Sequence, residues 1–203
     1  DFKAPLKVTA TIMAKFIADT AAFLLSEIGL TKESDFAKKF SENIKFAARK
    51  HLIDFDNYTV LGECQSSQAL AIYYNIFEDS EKEAAFNKLI ELIEKENNLM
   101  DTGIVGGRII FDTLSLFGRH DLALKMILGP EFPSYGYWLK QGATSLWEGF
   151  KENDDVVSSK NHHFWGFISA WFIKNLAGLQ YNPTGKNLKS ANVAPNFLYP
   201  LDD

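Results

Sequence analysis

Ser66-Ser-Gln-Ala-Leu-Ala-Ile-Tyr-Tyr-Asn-Ile-Phe77 is followed almost at once by Ser80-Glu-Lys-Glu-Ala-Ala-Phe-Asn-Lys-Leu-Ile-Glu-Leu-Ile-Glu-Lys-Glu96. The first segment carries no charge and is nearly apolar along its whole length. The second is clearly amphipathic. A helix that is apolar all round is buried on every side, whereas an amphipathic one shows a face to water. The two segments therefore read as a hairpin in which an outer helix covers an inner one.

The same alternation recurs along the chain. Residues 8–29 read as a long helix, with Ile12, Phe16, Phe23 and Leu24 among its apolar positions and Gly29 as its stop. In Ser34–Lys50, Phe36, Phe40, Ile44 and Ala47 repeat at three- and four-residue spacing, and lysines cover the other face. Asp54-Phe-Asp-Asn57 is a turn. Val105–Phe117 is apolar again, and His120–Leu128 is its short partner, stopped by Gly129-Pro130. Asn161–Leu176 reads as the last strong helix. Pro130–Phe150 reads as a long, aromatic connection, and loops of that length are usually functional. The fold class is thus all-α, built of helical hairpins. Gln180–Asp203 is rich in Pro, Asn and Gly. It reads as an extended tail or the approach to another domain, which divides the chain into 1–179 and 180–203.

Composition narrows the partners. The 203 residues suit one domain or part of a larger one. The 17 Phe call for a thick aromatic core or an aromatic-lined cleft. A net charge of −5 with no basic stripe is wrong for nucleic acid and for anionic membrane. No apolar run reaches the ~20 residues that span a bilayer. A neutral or weakly charged ligand fits better. The single Cys64 excludes an internal disulfide and a Cys-rich zinc site. The chain starts at Asp1 with no leader pattern, as a processed protein or an excised piece does.

Several motifs have a bland reading beside a sharp one. Asp101-Thr-Gly103 spells an aspartic-protease triplet, but that chemistry needs two such loops on β-scaffolds. A helix N-cap at Asp101 or Thr102 suits the context better. His162 and His163 are adjacent on an expected helix, so they point about 100° apart and rarely share an ion. Asn161 reads as an N-cap. No metal site and no cofactor are called for. Asn57-Tyr-Thr59 matches the glycosylation sequon, which matters only in a eukaryotic secreted protein. Ser145-Leu-Trp-Glu148 fits a capping box. Its alternative is a carboxylate at the rim of an aromatic pocket, with Tyr135, Tyr137, Trp138, Trp147 and Phe150 around it in sequence. Aromatic faces stack on sugars, and a nearby carboxylate can take a proton from water.

Three stretches taken together, "DTGIVGGRIIFDTLSLFGRHDLALKMI", "EFPSYGYWLKQGATSLWEGF" and "SSKNHHFWGFISAWFIKNLAGL", resemble the catalytic domain of bacterial α-L-rhamnosidases. "GECQSSQALAIYYNIF" is similar to a further family segment, with Gln65 at the shared glutamine. The match runs in order over nearly the whole chain. It implies the second half of an (α/α)6 barrel of six helical hairpins. It also implies an inverting glycoside hydrolase acting on terminal α-L-rhamnosides, with a rhamnose-containing glycoside or oligosaccharide as partner. Glu148 falls on the family's general base, His162 on a histidine lining the sugar site, and Trp147 on the tryptophan beside the base. Tyr135 stands where the family has tryptophan, and Trp138 where it has a smaller residue. Both would reshape the sugar pocket, and Asp101 is carried as a further sugar-site residue.

The family's general acid lies in an acidic "DCPQRDE…GW"-like segment that this sequence lacks. The chain by itself is then expected to be inactive, and open apolar helix faces are expected to make it self-associate. The family's usual export slightly favours a periplasmic or extracellular parent. Two other readings stand beside this one: a non-catalytic carbohydrate-binding module, and a six-hairpin glycosidase for another sugar.

Overall fold

The computed structural model describes residues 3–150, 159–180 and 191–198. They fall into two compact units: Asp1–Glu96 with Asp101–Ile110, and Asn97–Met100 with Phe111–Asp203.

The first unit opens with the longest helices, α1 (Leu6–Glu27) and α2 (Thr31–Leu52), which pack along each other as a hairpin. Their seam is made of small and polar side chains. Ser34 Oγ donates to the Ala22 carbonyl at 2.8 Å. Ser41 Oγ donates to Asp19, whose other oxygen takes Lys15 at 2.6 Å. Ala18, Ala22, Ala37 and Ala48 are buried with them. Small residues let two helix backbones approach closely enough for a hydroxyl on one to reach a carbonyl on the other.

This arrangement corrects the expected core stripe of α2. Phe36 and Phe40, the two strongest members of that stripe, point outward and are 74% and 51% exposed. On α1, Ile12 is buried as expected, but Phe16, Phe23 and Leu24 are exposed. Against the expectation that no segment is long and apolar enough to span a bilayer, α1 meets that test by length and composition, with 33% of its most apolar window buried. Its Lys15 and Asp19 pair with each other on the seam.

After α2 comes a short antiparallel pair, β1 (Ile53–Asp54) and β2 (Thr59–Val60), in register Ile53 to Val60. Helix α3 (Gln65–Tyr73) is buried at every position from Gln65 to Ile72, and α4 (Lys82–Lys95) buries only the face with Ala85, Phe86, Leu89, Leu92 and Ile93. The inner and outer roles read from the sequence are therefore those of the structure. One buried side chain ties this unit together: Gln68 donates to the Tyr58 and Ala85 carbonyls at 2.8 and 2.9 Å and accepts from Val60 N at 3.0 Å.

Arg49 closes the other end of the unit. Its guanidinium is bidentate to Glu81, at 2.7 and 2.8 Å, and also reaches the Ile76 carbonyl at 3.0 Å. The paired guanidinium holds the Glu81 carboxyl below its ordinary 4.5. A depressed carboxylate stabilises the fold above its unfolded value, and that contribution is lost as pH falls through the folded value. Arg49→Ala is expected to cost about 1–3 kcal/mol at neutral pH. In urea titrations the gap to the native chain should narrow below about pH 4.5. A gap that stayed constant into acid would show that Arg49 acts through packing on Phe55, whose ring lies 4.8 Å from the guanidinium carbon.

The second unit holds the C-terminal part of α5 (Ile104–Leu116), α6 (His120–Leu128), α7 (Tyr135–Lys140) and α8 (Phe167–Trp171). A π-helical turn (Phe172–Leu176) continues α8. Trp171 Nε1 donates to Ser115 Oγ at 2.9 Å, and Asn175 donates to Asp112 at 2.8 Å, which docks this last helix on α5. Two expectations change here. The expected long connection 130–150 contains α7, N-capped by the Ser134 hydroxyl, which accepts from Tyr137 N at 2.9 Å. Its Gly136 lies against the end of α6, where a Cβ would stand 2.2 Å from the Leu128 carbonyl oxygen.

The expected helix 161–176 begins only at Phe167. Residues 161–166 instead form turns in which Phe164 N donates to His162 Nδ1 and Gly166 N to the His163 carbonyl. Asn161 therefore caps no helix. Beyond the π turn, β3 (Leu179–Gln180) pairs antiparallel with β4 (Asn192–Val193). Most of the expected tail, residues 181–190 and 199–203, lies outside the described residues.

Candidate active site

The second unit gathers five aromatic side chains, four from residues 135–150 and the fifth from Trp165. Trp138 stacks on Phe150, with centroids 4.2 Å apart and planes 18° apart. Tyr135 meets Trp138 edge-on at 5.5 Å, and Phe150 meets Trp165 at 4.7 Å. Trp147 lies 6.2 Å from Trp138. All five are buried. Edge-on and offset contacts of this kind add stabilisation beyond area burial.

The polar tips of these rings grip the loop that carries Glu148. Trp165 Nε1 donates to the Glu148 carbonyl at 3.0 Å, and Trp138 Nε1 to the Gly149 carbonyl at 3.1 Å. Tyr135 Oη donates to the Trp165 carbonyl at 2.9 Å. Burial pushes the Tyr135 phenol well above its ordinary value, so it serves as a neutral donor. Two indoles and a phenol thus hold three carbonyls, one bond buried and two part-buried, where an unmade hydrogen bond is costly.

The loop is also laced to residues 159–162. Glu148 N donates to the Ser159 carbonyl at 2.8 Å, and His162 N to the Leu146 carbonyl at 2.8 Å. Ser145 Oγ donates to the Lys160 carbonyl. The Glu148 side chain is exposed, and its Oε2 accepts from Ser159 N at 2.9 Å. Among the described residues Oε1 has no protein partner.

No helix starts at Ser145, so the capping box is not formed. Its two polar members are both committed to 159–160, which compete successfully for them. His162 is half-buried and lies beside this ladder. Its Nδ1 accepts from Phe164 N at 3.3 Å, which leaves Nε2 as the donor of the ring.

Glu148, Trp147, Trp138, Tyr135 and His162 are therefore brought into one region. Asp101 belongs to the first unit. Its backbone N–H is held by Gln65 at 3.0 Å, and its carboxylate pairs with Lys3 at 2.7 Å. Burial raises the Asp101 carboxyl and outweighs the opposing effect of Lys3. Thr102 Oγ1 is buried without a partner and so caps no helix. The described residues hold no cluster of metal-ligating side chains.

Sequence reasoning passed over Ser159, Lys160 and Trp165. Ser159 holds the carboxylate through its backbone, which no side-chain motif reveals. Lys160 places its ammonium 4.7 Å from the centre of the Trp147 ring.

The family model for the bacterial alpha-L-rhamnosidase 6 hairpin glycosidase domain matches residues 1–176. The chain belongs to that family. Among curated relatives it is 28% identical over 200 residues to an alpha-L-rhamnosidase of Alteromonas sp. (strain LOR), covering 90% of this chain and 22% of that protein. An alpha-L-rhamnosidase of Streptomyces avermitilis is 29% identical over 184 residues, covering 86% of this chain and 17% of that protein. The chain thus spans about a fifth of the length of the relatives it matches.

The crystal structure of Streptomyces avermitilis alpha-L-rhamnosidase complexed with L-rhamnose superposes with a TM-score of 0.87 at 26% identity, over 95% of this chain and 19% of that one. An alpha-L-rhamnosidase structure from Dictyoglumus thermophilum gives 0.76 at 27% identity, over 82% of this chain and 19% of that one. The helical hairpins therefore form part of a six-hairpin glycosidase domain.

Proposed function

We propose that this chain supplies the water-activating half of an inverting α-L-rhamnosidase, with Glu148 as general base. The observation that carries this reading is the state of Glu148. It is an exposed carboxylate, tethered by one oxygen to Ser159 N and open at the other, on a loop clamped by Trp138 and Trp165. A general base must present a fixed oxygen to water. In an inverting hydrolase that water attacks the anomeric carbon from the face opposite the leaving group, which a second carboxyl protonates. His162 Nε2 would donate to the sugar from beside the base. Tyr135, Trp138 and Trp147 have buried rings, so their proposed part is to shape and stiffen the pocket wall. Asp101, paired with Lys3, is proposed as a further sugar-site residue.

The general acid is proposed to lie in polypeptide other than these 203 residues, which leaves the chain alone without turnover. In a longer polypeptide carrying both halves, proton NMR of nitrophenyl α-L-rhamnoside cleavage should show β-L-rhamnose as the first sugar released. Release of the α-anomer would refute inversion. Turnover by the 203-residue chain alone would refute the division of the two carboxylates.

A further inference from the structure

We propose that Trp147 is a positioning residue that acts through Lys160: its ring holds the Lys160 ammonium off the Glu148 carboxylate and so keeps that carboxylate free to take a proton from water. The inference rests on the reading of Glu148 as general base and adds a second residue pair to it.

Lys160 directly follows Ser159, whose backbone N–H holds Glu148 Oε2 at 2.9 Å. By standard backbone dimensions the Lys160 Cα lies about 5 Å from that nitrogen. A lysine side chain covers such a span, so an ion pair between Lys160 and Glu148 is within reach. It is not made. The ammonium lies 4.7 Å from the centre of the Trp147 ring, and Glu148 Oε1 has no protein partner among the described residues.

The indole competes well because it is fixed. Trp147 is 6% exposed and lies against Trp138. Its face is ready to receive a cation, whereas an exposed ion pair gains little in water. The consequence falls on Glu148. An ammonium on Oε1 would take the place of the water. It would also stabilise the ionised carboxylate and make it a weaker base.

The other ionisable groups on the segments packed against this loop are engaged elsewhere. On α7, Tyr135 donates to the Trp165 carbonyl, Tyr137 packs edge-on against Phe132, and Lys140 lies 4.0 Å from Glu131. On residues 159–166, the His162 and His163 rings stack on each other. These groups are the same in every variant below, so their charge cancels in the comparison.

Carbon-13 NMR titration of the Glu148 carboxyl in the 203-residue chain tests this, with the signal identified by its loss in Glu148→Gln. Trp147→Leu should lower the midpoint by about one unit, because the released ammonium pairs with the carboxylate. Trp147→Leu combined with Lys160→Met should return it to the native value. Lys160→Met alone should barely move it, because the ammonium is already held away. Trp147→Phe keeps an aromatic face and should hold most of the native midpoint.

In a longer polypeptide carrying the general acid, Trp147→Leu should move the acid limb of kcat/KM to lower pH by the same amount and lower kcat about tenfold. The double variant should recover the limb and most of kcat. A wall role alone would lower kcat equally in both variants and leave the limb where it stood, which overturns the proposal. So does an unchanged midpoint in Trp147→Leu, or a double variant that fails to restore it. A midpoint that moves as expected while the acid limb stays put overturns the reading of Glu148 as base and leaves the hold of Trp147 on Lys160 intact.

Discussion

Glu148→Gln is expected to lower kcat for rhamnoside hydrolysis by about 10²–10⁴, in a longer polypeptide that contains this chain and its general acid. The substitution is nearly isosteric, and the amide oxygen can still accept from Ser159 N, which holds Glu148 Oε2 at 2.9 Å. The loop therefore keeps its shape, and KM should change little. What is lost is the ability to take a proton from water in the transition state, so the loss appears in kcat. Azide needs no deprotonation. Added to the variant, it should restore turnover and yield the β-L-rhamnosyl azide, because it attacks from the face the water would have used. An unchanged kcat would remove Glu148 from the mechanism. Loss of activity without azide rescue, together with a raised KM, would assign it to sugar binding instead.

The hairpins were legible in the sequence, and the reason is physical. Burial on all sides demands a helix without charges, and α3 is such a segment. Burial on one side demands period 3.6, and α4 has it. The same rule misplaced the stripe of α2. Periodicity reveals that a face is apolar without revealing what covers it. Here the α1–α2 seam is formed by Ser34, Ala37 and Ser41, residues with little hydrophobic signal. Their close approach depends on having little side chain, which an apolar count scores as weak.

At the site, the composition of the loop was readable and its wiring was not. "SLWE" obeys the capping-box spacing, yet the partners of Ser145 and Glu148 are Lys160 and Ser159, more than ten residues away. A local motif loses to a distant strand of backbone when that backbone offers both a donor and an acceptor at matching positions. The histidines changed context for a related reason. His162 and His163 do not sit on a helix, because Phe164 N turns back to the His162 ring. Their rings stack 5.2 Å apart in place of diverging by a helical step.

Trp138→Ala should be the most destabilising single change in the second unit, at about 3–5 kcal/mol. Trp138 is 2% exposed and touches four other rings of the cluster, so its removal leaves a cavity that rigid neighbours cannot fill. It also strands the Gly149 carbonyl, whose indole donor at 3.1 Å disappears. Trp138→Phe separates the two losses. It keeps most of the stacking on Phe150 and removes only the donor, and should cost about 1–3 kcal/mol.

The functional consequence should track the second loss more closely than the first. The Glu148 and Gly149 carbonyls are held by different indoles, so releasing one lets the loop pivot on the other and moves the carboxylate relative to Ser159. The Phe variant should therefore lose kcat in the longer polypeptide while its urea midpoint falls only modestly. If Trp138→Phe lowered stability and left kcat intact, the indole clamp would be a packing device. The aim of Glu148 would then depend on its own ladder to residues 159–162.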